Sequence, residues 1–172
     1  KQYLSRLLKK LQNNFRKKGK TEIFENNING GQTEMKIALG CDHAGYELKH
    51  DIINYLKEMR IDYEDMGTDS ADAVDYPDFG KKVAEAVVSG NCEKGILICG
   101  TGIGMSIVAN KVQRIRAALC HDVASAKATR NHNDSNVLTM GSRIIGRDLA
   151  LEIVKTWLNT EYLGKDQPRH QR

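Results

Sequence analysis

Three clusters of reactive side chains stand out in this chain of 172 residues. They are Cys41-Asp42-His43-Ala44-Gly45, then Cys99 with the loop Gly100-Thr101-Gly102-Ile103-Gly104, then Asn131-His132-Asn133-Asp134, with Gly141-Ser142-Arg143 shortly after. Thiol, imidazole and carboxylate are the side chains that move protons near neutral pH. A Gly-rich loop leading into a helix offers backbone N–H groups and a positive helix end to an anion. That anion is either a phosphate or the oxyanion of an intermediate; a tight turn with no ligand is the ordinary alternative. The spacing is G-x-G-x-G and not G-x-G-x-x-G, and no Lys follows as in a phosphate-loop NTPase.

Cys99 closes the apolar run Gly95-Ile-Leu-Ile-Cys99 and precedes that loop. A thiol between a strand end and a helix N-terminus is placed to favour the thiolate, and a free thiol titrates near about 8.5 to begin with. Such a group is suited to base chemistry; a small buried core residue is the competing reading. His132 and Asn133 read as part of a polar loop. Asp42 reads equally as a helix cap, and Arg143, Arg169 and Arg172 as surface charges or as phosphate partners.

The elements that must position these groups alternate from Met35 onward. Strand-like runs fall at 36–40, 61–66, 95–99, 115–120 and 136–140, each followed by an amphipathic helical pattern, the fourth helix covering about 123–129. Pro77 opens the second helix and Gly90 closes it. Alternation of this kind predicts a three-layer α/β/α, Rossmann-like domain around a five-stranded parallel sheet. Right-handed crossovers collect every strand's C-terminal end on one edge, so sites are expected after positions 40, 67, 99, 120 and 140.

Residues 1–34 differ. Leu4, Leu7, Leu8, Leu11 and Phe15 recur at helical spacing among eight Lys/Arg and three Glu, a net +5. This predicts an amphipathic helical extension and linker ahead of a domain spanning 35–172, with Met35 as that domain's natural start. The extension is either a loosely packed appendage or a helix for a partner or membrane surface. The rest of the chain is close to neutral, which argues against a nucleic-acid-binding body. No apolar run is long enough to cross a bilayer. Cys41, Cys92, Cys99 and Cys120 show neither C-x-x-C nor structural-zinc spacing, which suits a reducing, cytoplasmic setting.

The motifs GCDHAG (40–45), VDYPDF (74–79), GILICGTGIGMSIVANK (95–111), IRAA (115–118), RNHNDSN (130–136), LTMGSRIIG (138–146) and RHQR (169–172) together resemble the ribose-5-phosphate isomerase B family. That family also includes galactose-6-phosphate isomerase subunits. The resemblance spans nearly all of 35–172 and excludes 1–34. It implies interconversion of D-ribose 5-phosphate and D-ribulose 5-phosphate through an enediolate, with no metal or other cofactor. It gives Cys99 the part of the base between C2 and C1, and the amides of Gly100, Gly102 and Gly104 that of the oxyanion cradle. His132 would open the furanose ring with help from Thr101. Asp42 and Asn133 would bind sugar hydroxyls, Tyr76 would line the pocket, and His43, Arg143 and Arg169 would attend the phosphate. Kinship further implies a homodimer or tetramer with the site between subunits, so that His132, Asn133 and the arginines face Cys99 of a partner chain.

Two departures bear on that expectation. Met105 stands where one branch of the family carries a catalytic Glu, which leaves the proton transfer to Cys99. The paired C-terminal arginines commonly lie four apart, whereas here Arg172 is three after Arg169 and the chain looks clipped. The alternatives are a galactose- or allose-6-phosphate isomerase, or a sugar-phosphate-binding module without catalysis.

Overall fold

The computed structural model describes residues 35–164. The basic extension, Arg169 and Arg172 lie outside the described residues. Chain order is β1 (Lys36–Cys41), a 3-10 turn (His43–Gly45), α1 (Tyr46–Glu58), β2 (Asp62–Asp65), α2 (Tyr76–Val88) and β3 (Lys94–Cys99), followed by α3 (Ile103–Asn110), β4 (Ala117–Leu119), α4 (Val123–Asn133), β5 (Val137–Gly141) and α5 (Arg147–Leu158).

The five strands form one parallel sheet in the order β2-β1-β3-β5-β4, as the alternating pattern predicts. β1, β3 and β5 are buried almost throughout, which is why they read as continuous apolar runs. The polar DYED of β2 lies at the edge and is largely exposed. Side-chain alternation divides the core. Ile37, Leu39, Cys41, Ile96, Ile98, Leu138 and Met140 face a layer built from α1, α4 and α5. Ala38, Leu97, Cys99 and Val137 face α2 and α3.

The chain leaves β1 toward β2 and then returns to the other side of β1 to form β3. That reversal opens a crevice beyond the carboxyl ends of two adjacent strands, where ligands of such sheets bind. Asp42 follows one of those strands and Cys99 ends the other, with Cys41 opposite Ile98 in register. On the far side of β3, Cys99 pairs with Gly141 of β5.

One expectation needs correction. The helix expected to stop near Thr129 continues to Asn133, so His132 and Asn133 occupy its last turn and not a loop. Asp134 ends it in the left-handed region (φ 49°, ψ 47°). Its carboxylate is held by Arg116 Nη2 at 2.8 Å and Arg130 Nη1 at 2.9 Å. Arg130 also donates to the carbonyls of Ser135 and Thr160. The stop therefore combines a left-handed cap and an in-helix partner, Arg130, with one long-range partner, Arg116, which helix-propensity reasoning does not contain.

Candidate active site

Cys99 is 6% exposed, and its sulfur receives the Gly102 N–H at 3.0 Å. This contact requires Gly102, whose φ of +77° favours glycine and whose missing Cβ would fall 2.5 Å from Leu119 Cδ1 and 2.7 Å from Met140 C. Thr101 Oγ1 accepts the Ile103 N–H at 3.3 Å, and the first bond of α3 runs from Ser106 N to Gly102 O. The N–H groups of Gly104 and Met105 precede that bond and sit at the positive helix end, the natural place for a developing oxyanion. Gly102's own N–H is engaged by the thiol.

The end of β5 fastens this loop. Ser142 N donates to Cys99 O at 2.9 Å, and Arg143 N donates to Gly100 O at 3.0 Å. Ser142 Oγ donates to Ala44 O at 2.7 Å and lies 3.2 Å from Cys99 O. One hydroxyl therefore ties the carboxyl ends of three strands together. Arg143 packs its Cδ and Nε against Gly100, where a Cβ would sit 3.3 Å and 3.4 Å away. This corrects the expectation that Arg143 reaches the thiol from a partner chain: it belongs to the same chain's loop.

Asp42 is 7% exposed. Its Oδ1 accepts the N–H groups of Ala44 and Gly45 at 2.9 Å and 3.1 Å, so it is a cap. Both bonds engage the same carboxylate oxygen. The Val74 N–H points at His43 Nδ1 from 3.5 Å, and an accepting Nδ1 leaves the proton of the neutral ring on Nε2. Tyr76, at the start of α2, lays its ring over Gly104, where a Cβ would meet Cε2 at 2.8 Å. Asp42, His43, Tyr76, Cys99, Gly100, Thr101, Gly104 and Arg143 thus gather at one edge of the sheet.

His132 and Asn133 do not join them within one chain. They end α4, which runs back from the end of β4 toward the start of β5. The length of β5, roughly 15 Å, separates that edge from Cys99. Burial pushes the Cys41 thiol up to about 11 and raises those of Cys92 and Cys120. Sequence reasoning missed the clasp of Ser142 and the buried Lys49. Lys49 was detectable, since it falls in phase with Ile52, Ile53 and Leu56 on the inward stripe of α1.

Comparison with known proteins agrees with the fold. The family model described as Ribose/Galactose Isomerase matches residues 37–172. Ribose-5-phosphate isomerase B of Escherichia coli is 50% identical over 137 residues, covering 80% of this chain and 90% of its own. The solved structure of Clostridium thermocellum ribose-5-phosphate isomerase B superposes with a TM-score of 0.77 at 54% identity, covering 80% of this chain and 90% of that one. A D-erythrulose-4-phosphate isomerase of Pectobacterium atrosepticum is 44% identical over 131 residues, 76% of this chain and 86% of its own. The fold is that of a parallel α/β protein with a thiol, Cys99, at the carboxyl end of a central strand. The chain belongs to the ribose/galactose isomerase family.

Proposed function

We propose that this chain interconverts D-ribose 5-phosphate and D-ribulose 5-phosphate, with Cys99 as the base. The observation that carries the reading is the Cys99 thiol, held by the Gly102 N–H at 3.0 Å beside the start of α3. A C2 proton of a sugar is weakly acidic, so a base must act together with stabilisation of the enediolate. Removing one preorganised donor of that kind typically costs about 3–4 kcal/mol. The Gly104 and Met105 amides supply such donors, and the Gly100 and Thr101 loop shapes the pocket floor. Asp42 Oδ2 and Asn133 take sugar hydroxyls, Tyr76 forms a wall, and His43, Arg143 and Arg169 provide for the phosphate. His132 shuttles the ring-opening proton, with Thr101 nearby.

Because His132 and Asn133 sit at the far edge of the sheet, the complete site needs a second copy to deliver them. Ile103 and Ile107, 52% and 54% exposed one turn apart on α3, and Ile144, 55% exposed just after β5, are large apolar side chains that a second copy would cover. The proton chemistry described calls for no cofactor. Four buried free thiols suit the cytoplasm, and no helix among the described residues is long and apolar enough to cross a membrane.

A coupled assay comparing four-, five- and six-carbon aldose phosphates tests the substrate, with the highest kcat/KM expected for ribose 5-phosphate. Preference for a six-carbon substrate would replace that assignment. Mixing inactive Cys99→Ala and His132→Asn chains tests the shared site. Shared sites restore about a quarter of wild-type activity through mixed dimers, and sites within single chains restore none.

A further inference from the structure

Lys49 is 2% exposed, among the most buried side chains described. An ammonium removed from water is costly unless paired and hydrogen-bonded, and an apolar side chain fills such a space at lower cost. The partners of this one lie on a single segment. Lys49 Nζ donates to Asp65 Oδ2 at 2.8 Å and to Thr68 O at 2.7 Å. These two residues bracket Met66 and Gly67, where the chain leaves β2 for the loop that leads to α2.

That loop is bound closely to the end of β1. Met66 N donates to Leu39 O at 2.7 Å and Thr68 N to Cys41 O at 3.2 Å. Gly67 passes so near that a Cβ would lie 2.8 Å from Cys41 N and 3.0 Å from Lys49 Cδ. Asp42 and His43 follow immediately on β1. At the loop's other end stand Val74, whose N–H faces His43 Nδ1, and Tyr76, whose ring covers Gly104. The same loop therefore starts on the lysine and finishes on the pocket wall.

We propose that Lys49 is a positioning residue for the substrate pocket. Its ammonium fixes Asp65 and Thr68, which set the path of residues 66–75 and so place Val74 against His43 and Tyr76 over Gly104. The proposal rests on the isomerase reading for its kinetic consequence. Cys99 is tied through Gly102 and Ser142, independently of this loop, so substrate binding and chemistry should separate.

The test uses Lys49→Met and, as a milder variant that keeps the lysine, Asp65→Asn on its partly exposed partner. Both are expected to raise KM for ribose 5-phosphate, Lys49→Met by roughly tenfold, with kcat changed by less than about threefold. Amides of residues 66–75 are expected to exchange faster, while those of β1, β3 and β5 keep their protection. Lys49→Arg, which retains the charge, is expected to recover part of the KM. An unchanged KM in both variants, or exchange accelerated equally across the sheet, would overturn the proposal. Failure of the wild-type chain to turn over ribose 5-phosphate would instead refute the isomerase reading, and the exchange measurement would still judge Lys49.

Discussion

Gly141→Ala probes how tightly the sheet holds the loop that follows Cys99 and is proposed to take part in the reaction. A Cβ at Gly141 would lie 2.6 Å from Thr101 C, 2.7 Å from Thr101 O and 2.8 Å from Thr101 Cα, all backbone, whereas ordinary contact begins at 3.4 Å. The loop must therefore retreat by about 0.8 Å, the difference between those two separations. It cannot do so freely, because Ser142 N holds Cys99 O and Arg143 N holds Gly100 O on either side. Overpacking of this kind costs about 1–3 kcal/mol of stability. Misplacement approaching 1 Å at a reacting centre costs on the order of 10²-fold in rate. The coupled isomerase assay should therefore show kcat falling by roughly 30- to 100-fold in protein that still melts cooperatively. Gly146→Ala is the control, since a Cβ there meets open space; it should keep wild-type turnover and lose at most about 1 kcal/mol as a changed helix cap. A Gly141→Ala protein that is destabilised yet turns over within twofold of wild type would refute the claim that this contact positions Cys99.

Two further expectations concern stability. Burial raises the Cys41 thiol from 9.0 to about 11, so folding keeps it protonated where the unfolded chain has lost the proton. Its contribution is complete below pH 9.0 and is lost as pH rises toward about 11, on the order of 2–3 kcal/mol in all. Denaturation series across that window should fall less steeply for Cys41→Ala; identical slopes would show that Cys41 is not the titrating group. At Asp134, φ is 49° and the carboxylate is clamped by two arginines. Asp134→Ala loses both features, whereas Asp134→Gly loses only the clamp, so urea melts should place Gly above Ala by about 1 kcal/mol. Equal stability would remove the backbone argument for this helix stop.

The parts legible in the sequence were those set by short-range pattern. Gly95–Cys99 reads as a buried strand because both its faces are apolar, and Pro77 and Gly90 punctuate α2 through their backbone preferences. Strand order is a different matter. Nothing local says that β5 lies between β3 and β4, yet this places Gly141 and Ser142 against Cys99. Asn131-His132-Asn133 reads as a loop because its residues favour turns; the helix nonetheless runs through them to Asp134, whose carboxylate is held by Arg130 one turn back and by Arg116, 18 residues away. Lys49 was hidden by the ordinary assumption that a lysine in a helix faces water. Cys99 and its Gly-rich loop could be singled out by position, but the donor aimed at the sulfur, Gly102 N–H, emerges only from the folded turn.

The most direct test of the account follows the C2 hydrogen of ribose 5-phosphate labelled with deuterium at that carbon. Wild-type protein should isomerise it with a primary isotope effect and some exchange with solvent, as expected of an enediolate formed by a single base. Cys99→Ala should lose isomerisation and exchange together, by about 10²–10⁴-fold, while its Kd for the sugar phosphate stays within about threefold. Retained exchange at C2 in Cys99→Ala would contradict the account, because some other group would then be removing the proton.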